Sequence, residues 1–179
     1  MSAVPLQLNA APAASFDQPF EMLAACHERV ERSLRLLERL GENLAAKGAD
    51  EAARSAAHDV LRYFDLAAPQ HHEDEERHLL PALRIAGQAA LADRVLAEHA
   101  TMAAAWGRLR GQLQAVERGD AAAFLTPAAQ AGWQTFAHLY RGHLALEDDQ
   151  VFPTAAPLLD VSAQRAMSND MARRRGVVY

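Results

Sequence analysis

Two copies of one polar pattern, 72 residues apart, constrain this chain more than any other feature. Glu75 follows His71 by four residues, and Glu147 follows His143 by four. Pro81 lies ten residues after His71, and Pro153 ten after His143. His27 precedes His71 by 44 residues, and His99 precedes His143 by 44. The set is a repeat, and the unit it repeats is a helical hairpin.

The surrounding residues say why the hairpin is helical. Phe20, Leu23, His27, Val30, Leu34 and Leu37 recur at alternating steps of three and four, the seam of a bundle helix. A second seam reads Ala57, Leu61, Phe64, Ala68, His71, Glu75, His78 and Ala82, with Pro69 expected to kink it just before the histidines. The third runs through Val95, His99, Met102, Trp106, Leu109, Leu113 and Val116. The fourth starts at Thr126-Pro127, an N-cap followed by proline at the first helical position, and carries Trp133, Phe136, Tyr140, His143, Glu147 and Gln150 inward. A short fifth helix is expected over about Val161 to Arg174. Alanine is abundant, glycine and β-branched residues are few, and no segment has the period of two of a half-buried strand. The expected fold is all-α: an up-down-up-down antiparallel four-helix bundle over residues 18–156. A flexible arm over 1–17 and a short C-terminal helix and tail over 157–179 flank it.

The repeat also sets heights. In an antiparallel hairpin, residues equidistant from the turn share a level. The midpoint of His27 and His71 falls in Gly48-Ala49-Asp50, that of His71 and His99 beside Gly87, and that of His99 and His143 next to Gly119-Asp120. All four histidines are therefore expected on one cross-section. Glu75 and Glu147 lie one turn along, about 6 Å away. Polar groups at core positions cost several kcal/mol unless paired or metal-bound. Four imidazoles and two carboxylates at one level form a ligand set for two divalent metals, with both carboxylates bridging. That mixture suits iron, manganese or zinc.

These residues resemble the hemerythrin-like, or HHE cation-binding, family. The matching stretches are His71-His72-Glu73-Asp74-Glu75-Glu76 through Leu79-Leu80-Pro81, and His143 through Glu147-Asp148 to Val151-Phe152-Pro153. Pro19-Phe20-Glu21 and Glu98-His99 add to the likeness, which covers roughly residues 18–156. The resemblance implies a bundle holding a non-haem pair of iron ions, Fe2+ or Fe3+, with an oxo or hydroxo bridge, ahead of zinc or manganese. It implies as metal ligands His27, His71, Glu75, His99, His143 and Glu147. The oxygen carriers of the family have a further histidine four residues after the third-helix ligand, where this chain has Ala103. They also place an aspartate five residues after the last histidine, so Asp148 competes with Glu147; the repeat favours Glu147.

Neighbouring residues carry further expectations. Glu75-x2-His78 fits the Glu-x-x-His pattern of di-iron bundles, so His78 is a candidate for the centre, although its repeat partner is Gln150. Tyr140, one turn from His143, is a candidate to hydrogen-bond a bound oxygen species or a bridging carboxylate. His72 faces about 100° from His71 and is expected at the surface. Cys26 reads as a small core residue, and Arg173-Arg174-Arg175 as a solvated end.

The function this implies is that of a di-iron protein that senses, binds or handles oxygen, nitric oxide or iron. The alternatives are a di-iron redox enzyme, acting on peroxide, nitric oxide or ferrous iron or repairing iron centres, and a zinc-stabilised structural module. The expected partner is a small diatomic ligand or peroxide. A net charge of −5 with no basic stripe argues against nucleic acid. The uncharged stretch from Ala121 to Tyr140 contains Pro127, Gly132 and His138, which argues against a membrane span. Residues 1–16 lack the basic start of a signal peptide. A single cysteine fits a reducing compartment, and the cytoplasm is the expected location.

Overall fold

The computed structural model describes residues 18–177, so the arm expected over 1–17 lies outside the described residues. The fold is all-α, as expected. Helix α1 spans Pro19–Lys47. Helix α2 runs from Glu51–Arg62 through a π turn, Tyr63–Ala67, into Ala68–Ile85. Helix α3 is Ala89–Glu117. Helix α4 is Pro127–Leu146, continuing through a second π turn, Glu147–Val151, into Phe152–Ala155. A 3-10 turn, Ala156–Leu158, leads to α5, Val161–Arg174. Helices α1 to α4 form a closed ring in which each packs on its chain neighbours and α4 returns to α1.

The helix ends follow local chemistry. Asp50, Thr126 and Asp160 each accept the backbone N–H three residues on, satisfying a donor the helix cannot. Gly87 (φ 80°) and Gly119 (φ 94°) take the left-handed conformation that closes α2 and α3. The chain then doubles back, with Gln88 N–H reaching Leu83 O and Asp120 N–H reaching Ala115 O.

Both π turns end two residues before a proline, Pro69 and Pro153. Proline has no N–H to give the carbonyl four residues back, and its ring crowds that carbonyl. Widening the preceding turn to a five-residue hydrogen bond accommodates it: Ala68 N–H bonds Tyr63 O, and Phe152 N–H bonds Glu147 O. The extra residue changes the inward register. Gln150, expected inside, is exposed, and Val151 is buried in its place. In α2 the seam beyond Glu75 proceeds through Leu79 and Leu83 rather than His78 and Ala82.

A layer of buried polar side chains divides the core. On one side lie Val30, Leu34, Phe64, Trp106, Leu113 and Phe136 among others. On the other, Leu23, Leu79, Leu83 and Val95 pack against Met167 and Met171 of α5. Each methionine is fully buried, worth on the order of 1.5–3 kcal/mol, so α5 is an integral lid on that end.

Of the basic run at the end of α5, Arg173 is solvated as expected, but Arg174 and Arg175 are not. Arg174 and Arg175 both bind Asp74, which is fully buried; Arg175 Nη2 to Asp74 Oδ2 is 2.6 Å. Arg174 Nε also donates to Asp170 at 2.9 Å. An aspartate with no access to water needs such partners, and the two arginines complete the packing of α5 on α2. Removing one member of a buried ion cluster leaves the rest unpaired. Asp74→Ala is therefore expected to lower unfolding free energy in urea by about 3–5 kcal/mol. A loss below about 1 kcal/mol would mean that the arginines simply turn to solvent.

Candidate metal centre

The layer contains six side chains from four helices: His27 from α1, His71 and Glu75 from α2, His99 from α3, and His143 and Glu147 from α4. All are at most 6% exposed. Their donor atoms fall into two overlapping groups, each within 4.8 Å: His27, His71, Glu75 and Glu147, and His99, His143, Glu75 and Glu147. Each histidine pair comes from one hairpin of the repeat, and both carboxylates belong to both groups.

The carboxylates span the two halves. Glu147 Oε2 lies 3.0 Å from His27 Nε2 and 3.9 Å from His71 Nε2. Its Oε1 lies 2.7 Å from His143 Nε2 and 3.8 Å from His99 Nε2. Glu75 Oε1 and Oε2 each lie 3.3 Å from an imidazole nitrogen, of His71 and His99 respectively.

Ring orientation is fixed from outside. Nδ1 of His27, His99 and His143 hydrogen-bonds Asp148 (2.9 Å), Glu76 (2.8 Å) and Glu98 (2.9 Å). A carboxylate partner places the hydrogen on Nδ1 and leaves Nε2 as a lone pair aimed at the centre. His99 Nε2 and His143 Nε2 then face each other at 3.1 Å. Two lone pairs at that distance repel unless a cation lies between them. His27 Nε2, His71 Nε2 and all four oxygens of Glu75 and Glu147 are buried without a hydrogen bond, despite the short contacts above. Buried acceptors converging on common points, with outer carboxylates steering the imidazoles, are the arrangement of a metal site. The donor set fits two divalent cations.

The site is electrostatically uneven. Burial, then the charge of Glu147, raises the Glu75 carboxyl well above its ordinary value. Burial acts on Glu147 in the same sense, but the imidazoles of His143, His27 and His99 that face it prevail and hold it well below. Burial lowers His71 to about 3. For His143, burial is outweighed by Glu147 and Glu98, and its value rises.

The other candidates lie around this layer. Asp148 is not in the centre; its half-exposed carboxylate holds His27 from outside. His78 is turned away, donating to Asp170 of α5 at 3.1 Å, because α5 supplies that flank of α2 with its own polar partner. Tyr140 is buried one turn from His143 and packs on Phe64 and Phe136. His72, expected at the surface, is half-buried with its ring stacked on His99 at 4.0 Å. The sequence reading missed Glu76 and Glu98 as steering groups. Their signal was present: each adjoins a candidate ligand, and the 72-residue offset pairs Glu76 with Asp148. The same offset pairs Glu98 with Cys26, and His71 Nδ1 has no hydrogen-bond partner.

The model of the hemerythrin HHE cation-binding domain family matches residues 18–155. An uncharacterized protein of Haemophilus influenzae is 31% identical over 169 residues, covering 92% of this chain and 94% of its own. The chain belongs to the hemerythrin HHE cation-binding domain family. None of the described helices is long and apolar enough to cross a membrane.

Proposed function

We propose that this is a cytoplasmic non-haem di-iron protein that binds and senses oxygen, nitric oxide or peroxide. His27 and His71 would hold one iron and His99 and His143 the other, with the Glu75 and Glu147 carboxylates available to both. The observation that supports this most is the pair of shared carboxylates, each with one oxygen toward each histidine pair. Mixed imidazole and carboxylate donors favour iron over a structural zinc, which takes a closed four-ligand site of its own. A bound iron pair supplies two-electron exchange and coordination of small molecules.

The chain's own groups do the rest. Asp148, Glu76 and Glu98 keep three imidazoles oriented. Burial, then the charges of Glu147 and Glu75, raises the Tyr140 phenol, which stays neutral as a hydrogen-bond donor. A crevice of about 550 Å³ between α1 and α4, lined by His27, Arg32, Arg141, Leu144 and Asp148 among others, gives a small molecule a way to the His27 side. Neither nucleic acid nor membrane is a partner in this reading.

Protein expressed with ample iron should contain about two irons per chain. Its absorption spectrum should change on anaerobic addition of oxygen, nitric oxide or peroxide. One zinc with no iron, or iron indifferent to all three, would reject the proposal. Sustained peroxide turnover would move it to the enzyme class.

A further inference from the structure

We propose that His72 is a further nitrogen ligand of the centre, a third imidazole for the metal on His99 and His143, so that the two metals are inequivalent. The inference rests on the two-metal reading above and adds a residue to it. The imidazole of His72 has a donor within 4.8 Å of donor atoms on both His99 and His143, with the three forming a group of their own. Its ring lies parallel to His99, 4.0 Å away and 9° from coplanar orientation, and meets His143 edge-on at 5.8 Å.

The internal repeat gives an independent reason to expect an uneven centre. Six donors obey the 72-residue offset, but the counterpart of His72 is Leu144. Leu144 is a buried side chain lining the crevice beside His27. The flank of one histidine pair thus carries a nitrogen donor, and the matching flank of the other carries a hydrocarbon. On α3 the position one turn beyond His99 is Ala103, which offers no donor. His72 supplies a nitrogen to this pair from a different helix.

Parallel stacking sets the in-plane lone pairs of His72 alongside those of His99, so engagement requires the His72 ring to rotate. His72 is only half-buried, whereas His71 beside it is fully buried. The competing role is a stacking partner that only holds His99 in place. A phenylalanine separates the two roles, because it keeps the aromatic face and lacks the nitrogen.

The test compares full-length wild type, His72→Phe and His72→Gln, each loaded with ferrous iron. Metal content, stepwise iron affinity and Mössbauer spectra are the readouts. Wild type should hold two irons in two distinct environments. Both variants should alter one environment, leave the other as it was, and weaken one of the two binding steps by about tenfold or more. If His72→Phe keeps both environments and both affinities, His72 is a stacking residue and the inference is wrong, whatever His72→Gln does. If wild type holds a single metal, the two-metal reading fails, and this inference with it.

Discussion

Glu147→Ala is expected to strip at least one metal from the centre, whereas Asp148→Ala keeps both. Adjacent in sequence, the two carboxylates stand on opposite sides of His27. Glu147 is fully buried, with Oε2 3.0 Å from His27 Nε2 and Oε1 2.7 Å from His143 Nε2. Truncating it takes a donor from each half and removes negative charge from between two dications. Their repulsion in a dry layer is then less compensated, which amounts to more than the loss of one ligand. Asp148, with 55% of its side chain exposed, touches only the outer nitrogen of His27. Its loss loosens one imidazole, an effect of roughly 10- to 100-fold on affinity, and saturating metal still fills the site. Metal analysis of the two purified variants decides the matter. If Asp148→Ala loses metal and Glu147→Ala retains it, the bridging role belongs to the wrong residue here.

Most of the fold was legible because the sequence writes it twice. The seams of α1 and α3 hold along their length, apart from the half-buried Phe20, since nothing interrupts their period. The six polar positions come together because their distances from the three turns agree. The misreadings have local physical causes. A π turn adds a residue to the inward register without leaving any mark in apolar periodicity, so periodicity alone puts Gln150 inside and leaves Val151 out. Proline is the available signal, since both π turns end two residues before one; but Pro81 sits in an ordinary helical turn, so the signal is not sufficient. The partners of His78, Arg174 and Arg175 escape the sequence for a shared reason. Each depends on how α5 lies across α2, a contact between residues about a hundred positions apart. Helical geometry alone put His72 at the surface, about 100° from His71. In a ring of four helices that direction points at the neighbouring helix, where His99 is waiting to stack.

Removing the metals should lower the melting temperature by on the order of 10–20 °C. Two sites at a hundredfold excess over Kd contribute about 2.7 kcal/mol each, and each kcal/mol shifts the melting temperature by about 2–4 °C in a chain of this size. The metal-free protein should also respond to pH in both directions, because the layer must then accommodate its own protons. His71 and His72 are lowered by burial, to about 3 and about 2. As pH falls below 6.5, the unfolded chain protonates these imidazoles and the folded chain does not, so stability is lost on the acid side. Glu75 has the opposite sign. Its raised carboxyl keeps a proton in the folded state that the unfolded chain releases above 4.5, and His143, also raised, does the same above 6.5. Between 4.5 and 6.5 the two lowered histidines outweigh Glu75 by about one proton, and stability rises with pH at about 1.4 kcal/mol per unit. Above 6.5 the balance reverses and stability falls. The metal-free protein should therefore be most stable near pH 6.5, and Glu75→Gln, which removes one folded-state proton on both limbs, should roughly halve the alkaline limb and double the acid one. Thermal unfolding of metal-loaded, metal-free and Glu75→Gln protein from pH 5 to 8 tests this. A metal-free form that melts with the loaded one, at a temperature unchanged across that range, would show that the buried layer does not depend on metal.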